Sequence, residues 1–305
     1  MGTPAFACPS LEVLLAGPDQ VVAVVCQPDR PRGRGLAVVP PETKRLAERH
    51  GIHVLQPERV RDAAFHDALR ALQPDLGVVV AYGRILPRVV LDLPVHGCIN
   101  VHASLLPRHR GAAPVQWAIA AGDRETGVTI MRMSEEMDAG DILLQRTLPI
   151  RPDHTGGTLA AELAELGAAA LREAIDALKA GRLEPRPQPA AGVTFAPRIE
   201  RGHGRLDWTR PAAELERLVR ALAPAPSAFT TVHGKVLKVH RAEVQPGPPG
   251  PPPGTVVSAA ADGLVVQTGE GRLRLLEVQL EGRRSLPVTA FLTGYPVPAG
   301  TCLGR

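Results

Sequence analysis

Short apolar runs alternate with amphipathic stretches through the first half of the chain. The runs 21–26, 76–82 and 98–102 are rich in β-branched residues, which predicts strands buried on both faces. The stretches 43–50 and 62–72 carry apolar residues at helical spacing and predict helices between those strands. This alternation is typical of an α/β domain built on a mainly parallel sheet.

The same pattern continues as far as residue 181. Residues 127–133 and 142–150 predict two more strands, and a long helix follows that ends at Gly181. The apolar face of that helix is formed by Leu159, Leu163, Leu166, Leu171, Ile175 and Leu178. We therefore predict that residues 1–181 form a first domain.

The remaining third of the chain has a different character. Residues 182–203 contain four prolines and little periodicity, which is typical of a linker. In residues 204–305, a helix after Pro211 precedes short alternating segments that are separated by glycine-containing turns. Several short strands of this kind predict a small β-barrel as a second domain.

The composition excludes several classes of protein. Hydrophobic residues make up 44% and charged residues 22%, an ordinary balance for a globular protein. The apolar runs are too short to span a bilayer and no secretory leader is recognisable, so we expect a cytoplasmic protein that is not in the membrane. The four cysteines lack metal-ligand spacing, which favours neither a zinc site nor a disulfide framework.

The net charge of +4 arises entirely near the end of the chain. Residues 1–202 hold 23 basic and 23 acidic side chains, whereas residues 203–305 hold 12 basic and 8 acidic ones. Arginine suits phosphate recognition because its planar guanidinium is always charged. A GC-rich genome would also supply many arginines, so their clustering is more informative than their number.

Asn100 is the one asparagine in the sequence, and it precedes His102 by two positions. Residues two apart in a strand face the same way, and ligands of open α/β sheets bind beyond the carboxyl ends of strands. A carboxamide there can donate to an oxyanion, and a histidine can move a proton. The pair predicts a catalytic site, although an Asn–x–His pair by itself is more often a cap or a buried, satisfied pair.

A carboxylate partner for His102 must come from another element. Asp138 lies in a glycine-containing loop between two predicted strands and is the candidate, with a simple turn residue as the alternative. A carboxylate beside His102 would favour its protonated form. The sequence contains no GxSxG elbow, no GxGxxG after a strand and no P-loop, which argues against other common chemistries.

Six stretches of the chain together resemble the methionyl-tRNA formyltransferase family. They are 2–7 (GTPAFA), 27–35 (QPDRPRGRG), 81–87 (AYGRILP), 97–116 (GCINVHASLLPRHRGAAPVQ), 125–131 (ETGVTIM) and 137–142 (MDAGDI). The resemblance is strong over residues 2–145 and thinner beyond them. It implies a Rossmann-like α/β catalytic domain with a mainly parallel sheet, followed by a small OB-like C-terminal β-barrel that binds tRNA.

The resemblance also implies a reaction. A formyl group would pass from 10-formyltetrahydrofolate to the α-amine of methionine on initiator tRNA, for translation initiation. Asn100, His102 and Asp138 match the family's catalytic residues, with the first two at the oxyanion and Asp138 holding His102 charged and helping to move the proton. Folate is then a substrate, and we expect a monomer with no resident cofactor and no metal.

Two groups of binding residues follow from the resemblance. Those expected to bind folate are Ser104, Leu105, Leu106, Pro107, Ile85, Leu86, Pro87, Gly140 and Asp141. Those expected to bind tRNA are Arg30, Arg32, Arg34 and Lys44. Plain core packing is the alternative for Ile85, Leu86 and Pro87, and a solvated loop is the alternative for the arginines.

The sequence departs from the family in two places. The family carries an apolar strand, central to the sheet, just before the match to residues 2–4, and this sequence begins at Met1. We expect a gap with unpaired backbone groups there, which a start codon assigned too late would explain. In addition, residues 223–226 (APAP) replace a segment resembling Asn-Pro-Trp-Pro.

Two other functions fit part of the pattern. A folate-dependent formyltransferase that acts on an amino-sugar nucleotide would share Asn100, His102 and Asp138 but should lack the arginine-rich loop. An inactive RNA-binding protein would use the basic tail but would have no need of those three residues.

Overall fold

The computed structural model describes residues 1–32, 37–260 and 263–304, and the chain divides into two units. One unit contains Met1–Pro114, Glu125–Pro149 and Ala160–Pro197, and the other contains Val115–Arg124, Ile150–Leu159 and Arg198–Arg305. Residues 182–197, which the sequence assigns to a linker, therefore belong to the first unit.

Helices and strands account for much of both units. The strands are β1 (Val24–Val25), β2 (Arg30–Arg32), β3 (Ala37–Val39), β4 (Val54–Leu55), β5 (Gly77–Val79), β6 (Cys98–His102), β7 (Glu125–Arg132), β8 (Ile142–Pro149), β9 (Ala228–Val232), β10 (Lys235–Gln245), β11 (Val256–Ala260), β12 (Gly263–Gln267), β13 (Arg272–Leu280) and β14 (Leu286–Pro287). The helices are α1 (Cys8–Leu15), α2 (Glu42–Arg49), α3 (Ala63–Ala71), α4 (Arg88–Leu91), α5 (Pro114–Ala121), α6 (Gly156–Lys179), α7 (Ala212–Leu222) and α8 (Val288–Gly294).

The first unit is built on short parallel pairs with an antiparallel edge. β1 and β4 pair in parallel, and β5 and β6 pair in parallel at one side of a four-stranded sheet. β7 is antiparallel to β6 and to β8, which completes that sheet in the order β5-β6-β7-β8. The strand predicted over 98–102 has the same bounds in the structure, because its apolar pattern is bounded by glycine and a polar loop.

The packing of α6 on β6 decides which face of that strand is free for chemistry. A Cβ on Gly167 of α6 would lie 2.8 Å from the Val101 Cγ1, so the helix approaches that side closely. Side chains alternate along a strand, so Ile99 shares the face of Val101, and Asn100 and His102 share the opposite face. All five residues of β6 are buried, so neither face is widely open to bulk solvent.

A cavity of about 710 Å³ lies between the edges of β1 and β5. Met1 and Gly2 lie at one end of it, where the Gly2 N–H donates to the Val25 carbonyl at 2.9 Å. The Val80 N–H donates to the Met1 carbonyl, also at 2.9 Å. Among the described residues, β1 pairs as a strand with β4 alone and β5 with β6 alone. This is the place where the sequence predicts a gap in the sheet, left by the strand that the family carries before the match to residues 2–4.

The second unit joins the two edges of its sheet through the end of the chain. Its strands follow the antiparallel order β11-β12-β13-β10-β9, with β14 beside β13. The Leu303 N–H donates to the Gly254 carbonyl just before β11. The Gly304 N–H donates to the Thr231 carbonyl of β9. The last residues therefore connect the edge strands, and the enclosed core includes Trp208.

The Met1 amino group should make stability depend on pH in a polypeptide that begins at this residue. Its ammonium group donates to the Val78 carbonyl at 2.6 Å, and burial lowers its pKa from 8.0 to about 6. Between pH 6 and 8 the unfolded chain therefore binds a proton that the folded chain does not, so the free energy of unfolding rises with pH. A shift of this size corresponds to about 2–3 kcal/mol.

Urea denaturation at pH 6 and pH 8 measures this effect. An N-terminally acetylated chain is the control, because it keeps every other titrating group and lacks the amino group. We expect the free energy of unfolding to rise more between the two pH values for the free chain than for the acetylated one. The same rise in both chains would contradict the prediction.

Candidate active site

Asn100 and His102 lie on the face of β6 that α6 does not cover. The register places Asn100 opposite Met131 of β7 and His102 opposite Thr129. The two side chains are buried, with 9% and 5% of their surfaces exposed. Within the described residues the Asn100 carboxamide makes no hydrogen bond, so its N–H groups remain available to a ligand.

The His102 ring is held on one side and faces a carboxylate on the other. Its Nε2 lies 2.9 Å from the His109 carbonyl oxygen, and this nitrogen must carry a proton because a carbonyl can only accept. Its Nδ1 lies 3.7 Å from the Asp138 Oδ2, beyond ordinary hydrogen-bond distance. Nδ1 is therefore the ring nitrogen that remains for chemistry.

Asp138 reaches His102 through a loop that folds back over the sheet. Because β7 is antiparallel to β6, its last residue, Arg132, lies opposite Ile99 near the start of β6. The loop then returns toward His102, and Asp138 adopts a φ of 52°, which is unusual for a residue other than glycine. The Asp138 Oδ2 accepts the Gly111 N–H at 2.8 Å, which fixes the direction of the carboxylate.

The segment around Gly111 is held in place by contacts with residues 194–196. A Cβ on Gly111 would lie 2.6 Å from the Ala196 carbonyl oxygen, and its φ of 126° also requires glycine. The Ala196 N–H donates to the Arg110 carbonyl at 2.7 Å. The Thr194 Oγ1 accepts the His109 N–H at 2.8 Å. The carbonyl that holds His102 is therefore itself held in place.

The backbone of the expected folate segment is fixed by two side chains from β7 and β8. The Thr129 Oγ1 donates to the Ser104 carbonyl at 2.6 Å and accepts the Leu106 N–H at 3.1 Å. The Gln145 Nε2 donates to the Leu106 carbonyl at 2.9 Å. The Ser104 hydroxyl donates to the Arg108 carbonyl at 2.6 Å. These bonds form a rigid turn directly after β6.

The side chains of that segment differ in how much of them a ligand can reach. Ser104 and Leu106 are buried, and Leu106 packs with Met131 and Ile142. Leu105 and Pro107 are half-buried. Leu105, Pro107 and the backbone of the segment can therefore contact a ligand directly. Ser104 and Leu106 instead stabilise the turn from inside the protein.

The other residues expected to bind folate lie in two loops. Ile85 is 76% exposed, Leu86 is buried in a core cluster, and Pro87 is half-buried just before α4. Gly140 and Asp141 are half-buried at the end of the Asp138 loop. A Cβ on Gly140 would lie 1.8 Å from a carbonyl oxygen, so a side chain is excluded there.

The residues expected to bind tRNA occupy different environments. Arg30 is exposed at the start of β2, Arg32 is described by its backbone alone, and Arg34 lies outside the described residues. Lys44 donates to both carboxylate oxygens of Asp29, at 3.0 and 2.9 Å, and to Gln56 at 2.8 Å. The hydrogen bonds that Lys44 donates to the Asp29 carboxylate raise the pKa of Lys44. Lys44 therefore anchors the chain just before β2.

Sequence reasoning missed the side chains that hold these loops. They are Thr129, Gln145, Gln188 and Thr194. An isolated threonine or glutamine carries no local signal, because most lie at the surface. Thr129 offered one, since it lies between Val128 and Ile130 on a predicted strand, and a hydroxyl that becomes buried in a sheet needs a partner.

The described residues contain no group of three or more His, Cys, Asp or Glu side chains placed to hold a metal ion. None of the helices described here has the length and apolar character needed to cross a membrane.

Two models of known protein families match most of the chain. A family model described as formyl transferase matches residues 10–175, and one described as formyl transferase, C-terminal domain, matches residues 198–296. The methionyl-tRNA formyltransferase of Myxococcus xanthus is 52% identical over 301 residues, which cover 99% of this chain and 96% of the relative. That of Desulfotalea psychrophila is 52% identical over 303 residues, covering 99% and 94%.

The chain belongs to the methionyl-tRNA formyltransferase family. The resemblance found in the sequence is therefore confirmed, and the chain is an enzyme of formyl transfer. The predicted fold class, an α/β formyltransferase domain with a C-terminal β domain, is confirmed as well.

Solved structures of formyltransferases and related proteins share the fold. HypX from Aquifex aeolicus, in complex with tetrahydrofolic acid, aligns with a TM-score of 0.61 and 24% identity over 84% of this chain and 46% of its own. WlaRD, a sugar 3N-formyl transferase solved in the presence of dTDP and 5-N-formyl-THF, aligns with a TM-score of 0.68 and 15% identity over 93% and 97%. At these identities the likeness extends to the fold alone.

The hydroxyl of Thr129 can be tested against a matched threonine on the same strand. Thr129→Val removes a hydroxyl that bonds three groups, and we expect it to lower the free energy of unfolding by about 1–3 kcal/mol. Thr126 is also buried, and its Oγ1 has no partner among the described residues, so Thr126→Val should be neutral or stabilising. Urea denaturation of both variants measures the difference, and equal losses would contradict the assignment.

Proposed function

We propose that this chain transfers the formyl group of 10-formyltetrahydrofolate to the α-amine of methionine on initiator tRNA, and so supplies formylated methionyl-tRNA for translation initiation. The observation that carries the proposal is the arrangement at β6. The Asn100 carboxamide, which has no hydrogen-bond partner among the described residues, is two residues from His102, whose Nδ1 faces the Asp138 carboxylate at 3.7 Å. The full-length relatives of 52% identity support the choice of methionyl-tRNA as acceptor.

In the proposed first step the amine nitrogen attacks the formyl carbon, and the carbonyl electron pair moves to oxygen. The Nδ2–H of Asn100 and a proton on the His102 Nδ1 donate to this oxyanion. Both groups are preorganised, because β6 is held between β5 and β7 and the ring is fixed through the His109 carbonyl. Fixed donors stabilise a developing charge without the cost of reorganising water.

In the second step the bond between the formyl carbon and N10 of folate breaks, and the carbonyl re-forms. One proton has left the attacking amine and one must reach N10, so the reaction needs a relay between these nitrogens. The Asp138 carboxylate lies 3.7 Å from the His102 Nδ1 and is the base closest to that ring among the contacts described above. We assign the relay to Asp138, whose carboxylate is kept in place by the Gly111 N–H.

The two substrates are assigned to different loops. HypX and the sugar formyltransferase were crystallised with reduced folates, which supports a folate site here. We assign folate to the Ser104–Pro107 turn, with Leu105 and Pro107 as contact side chains, and to the 85–87 and 140–141 segments. Arg30, Arg32, Arg34 and the basic C-terminal unit are assigned to tRNA phosphates. A monomer in the cytoplasm stays a prediction from the sequence.

Asn100→Ala tests the proposed oxyanion donor. Loss of one such donor typically lowers kcat by about 10²–10³, and the fold should persist because the carboxamide makes no hydrogen bond with the described residues. The measurement is formylation of charged initiator tRNA with 10-formyltetrahydrofolate, with Thr126→Val as a control from the same sheet. Turnover close to that of the unchanged chain would refute the role of Asn100.

The same assay separates the alternatives. An amino-sugar nucleotide offered as acceptor should stay unmodified, whereas methionyl-tRNA should be formylated. Formylation of the sugar alone would favour the sugar-nucleotide enzyme, and binding of RNA with neither reaction would favour an inactive RNA-binding protein.

Arg34→Ala tests the assignment of the arginine-rich loop to tRNA. A phosphate contact contributes to affinity for every tRNA sequence, so we expect a higher KM for methionyl-tRNA with an unchanged KM for 10-formyltetrahydrofolate. In a plot of the logarithm of the tRNA binding constant against the logarithm of salt concentration, the slope should become shallower by about one, because one phosphate contact is lost. An unchanged KM for tRNA and an unchanged salt slope would remove Arg34 from the site.

A further inference from the structure

Gln188 is half-buried within a run whose neighbours on both sides are exposed. Its Nε2 donates to the Asp138 carbonyl and to the Gly140 carbonyl, each at 2.8 Å. Its Oε1 accepts the Arg110 Nε at 3.1 Å and the Arg110 Nη2 at 2.8 Å. Every hydrogen-bonding direction of this carboxamide is therefore used between the two loops that meet at His102.

The orientation of the Gln188 carboxamide is set by its partners. A guanidinium can only donate and a carbonyl can only accept, so the oxygen must face Arg110 and the nitrogen must face the carbonyls of Asp138 and Gly140. The backbone around Gln188 is also restrained, because Pro187 and Pro189 flank it. A glutamine in this position can therefore act as a fixed clamp.

The Asp138 loop needs such a clamp. Strand pairing ends before Asp138, and the left-handed conformation at its φ of 52° carries a strain that the surroundings must offset. The Gly111 N–H holds the side-chain carboxylate, while Gln188 holds the main-chain carbonyl of the same residue. Without the second contact the carboxylate could turn away from His102.

We propose that Gln188 is a positioning residue that holds the Asp138 loop in the conformation in which its carboxylate faces His102. This rests on the proposed function, in which Asp138 acts through His102. Gln188 reaches the reaction through Asp138 and does not touch the reacting atoms.

Gln188→Glu tests the proposal most directly. The variant keeps the length of the side chain and the acceptor for Arg110, and it replaces the two donors by an oxygen that faces two carbonyls. We expect kcat for methionyl-tRNA formylation to fall about 10- to 100-fold, the effect of a catalytic group misplaced by about 1 Å. The KM for methionyl-tRNA should change by less than about twofold, since none of the residues assigned to tRNA contacts Gln188.

Gln73→Glu is the matched control for the added charge, because Gln73 is exposed and its side chain enters no contact described above. It should leave kcat unchanged. If Gln188→Glu does not fold, as judged by thermal unfolding and near-ultraviolet circular dichroism, Gln188→Met replaces it, since Met removes the same donors without adding a charge.

A double-mutant cycle with Asp138→Asn separates positioning from general stability. If Gln188 acts through Asp138, adding the Gln188 change to Asp138→Asn should lower kcat by less than about twofold further. The same factor in both backgrounds would mean a merely structural role and would overturn the proposal. An unchanged chain that does not formylate methionyl-tRNA would refute the proposed function, whereas full turnover in Gln188→Glu would refute only the role of Gln188.

Discussion

The candidate site depends on a strand that is buried on both faces and yet carries two polar side chains on one of them. Burying a polar group costs free energy unless it finds a partner. His102 finds one in the His109 carbonyl, whereas the Asn100 carboxamide finds none among the described residues. Close packing of α6 at Gly167 covers the other face, so the unmet hydrogen-bonding capacity of β6 is directed to one side, where a substrate can complete it.

The loops around β6 are irregular, and side chains supply the hydrogen bonds that a regular ladder would otherwise provide. Thr129 and Gln145 fix the turn after β6, Thr194 fixes the backbone beside His109, and Gln188 fixes the Asp138 loop. Each of them satisfies backbone groups that would otherwise be buried without partners. A catalytic constellation must be held to within about half an ångström, and this supporting layer is how a loop-built site can achieve that.

The edges of β1 and β5 differ from these loops, because no neighbouring strand among the described residues pairs with them. A cavity of about 710 Å³ lies between them, and Met1 and Gly2 bridge them at one end through backbone hydrogen bonds. The amino group of Met1 is buried beside that cavity, and burial lowers its pKa to about 6. In a polypeptide that begins at Met1, the free energy of unfolding of this unit should therefore depend on pH.

The sequence by itself determined the α/β class, the bounds of β6 and the family, because strand periodicity and short motifs are local properties of the chain. It missed several elements, among them α1, α5, α8 and β9. Only the tertiary structure decided how Asp138 approaches His102, since that path depends on β7 being antiparallel to β6. The same holds for Gln188, whose partners lie about fifty residues or more away, and for Lys44, which pairs with Asp29. Contacts between distant segments follow from how the elements pack, and no local pattern records them.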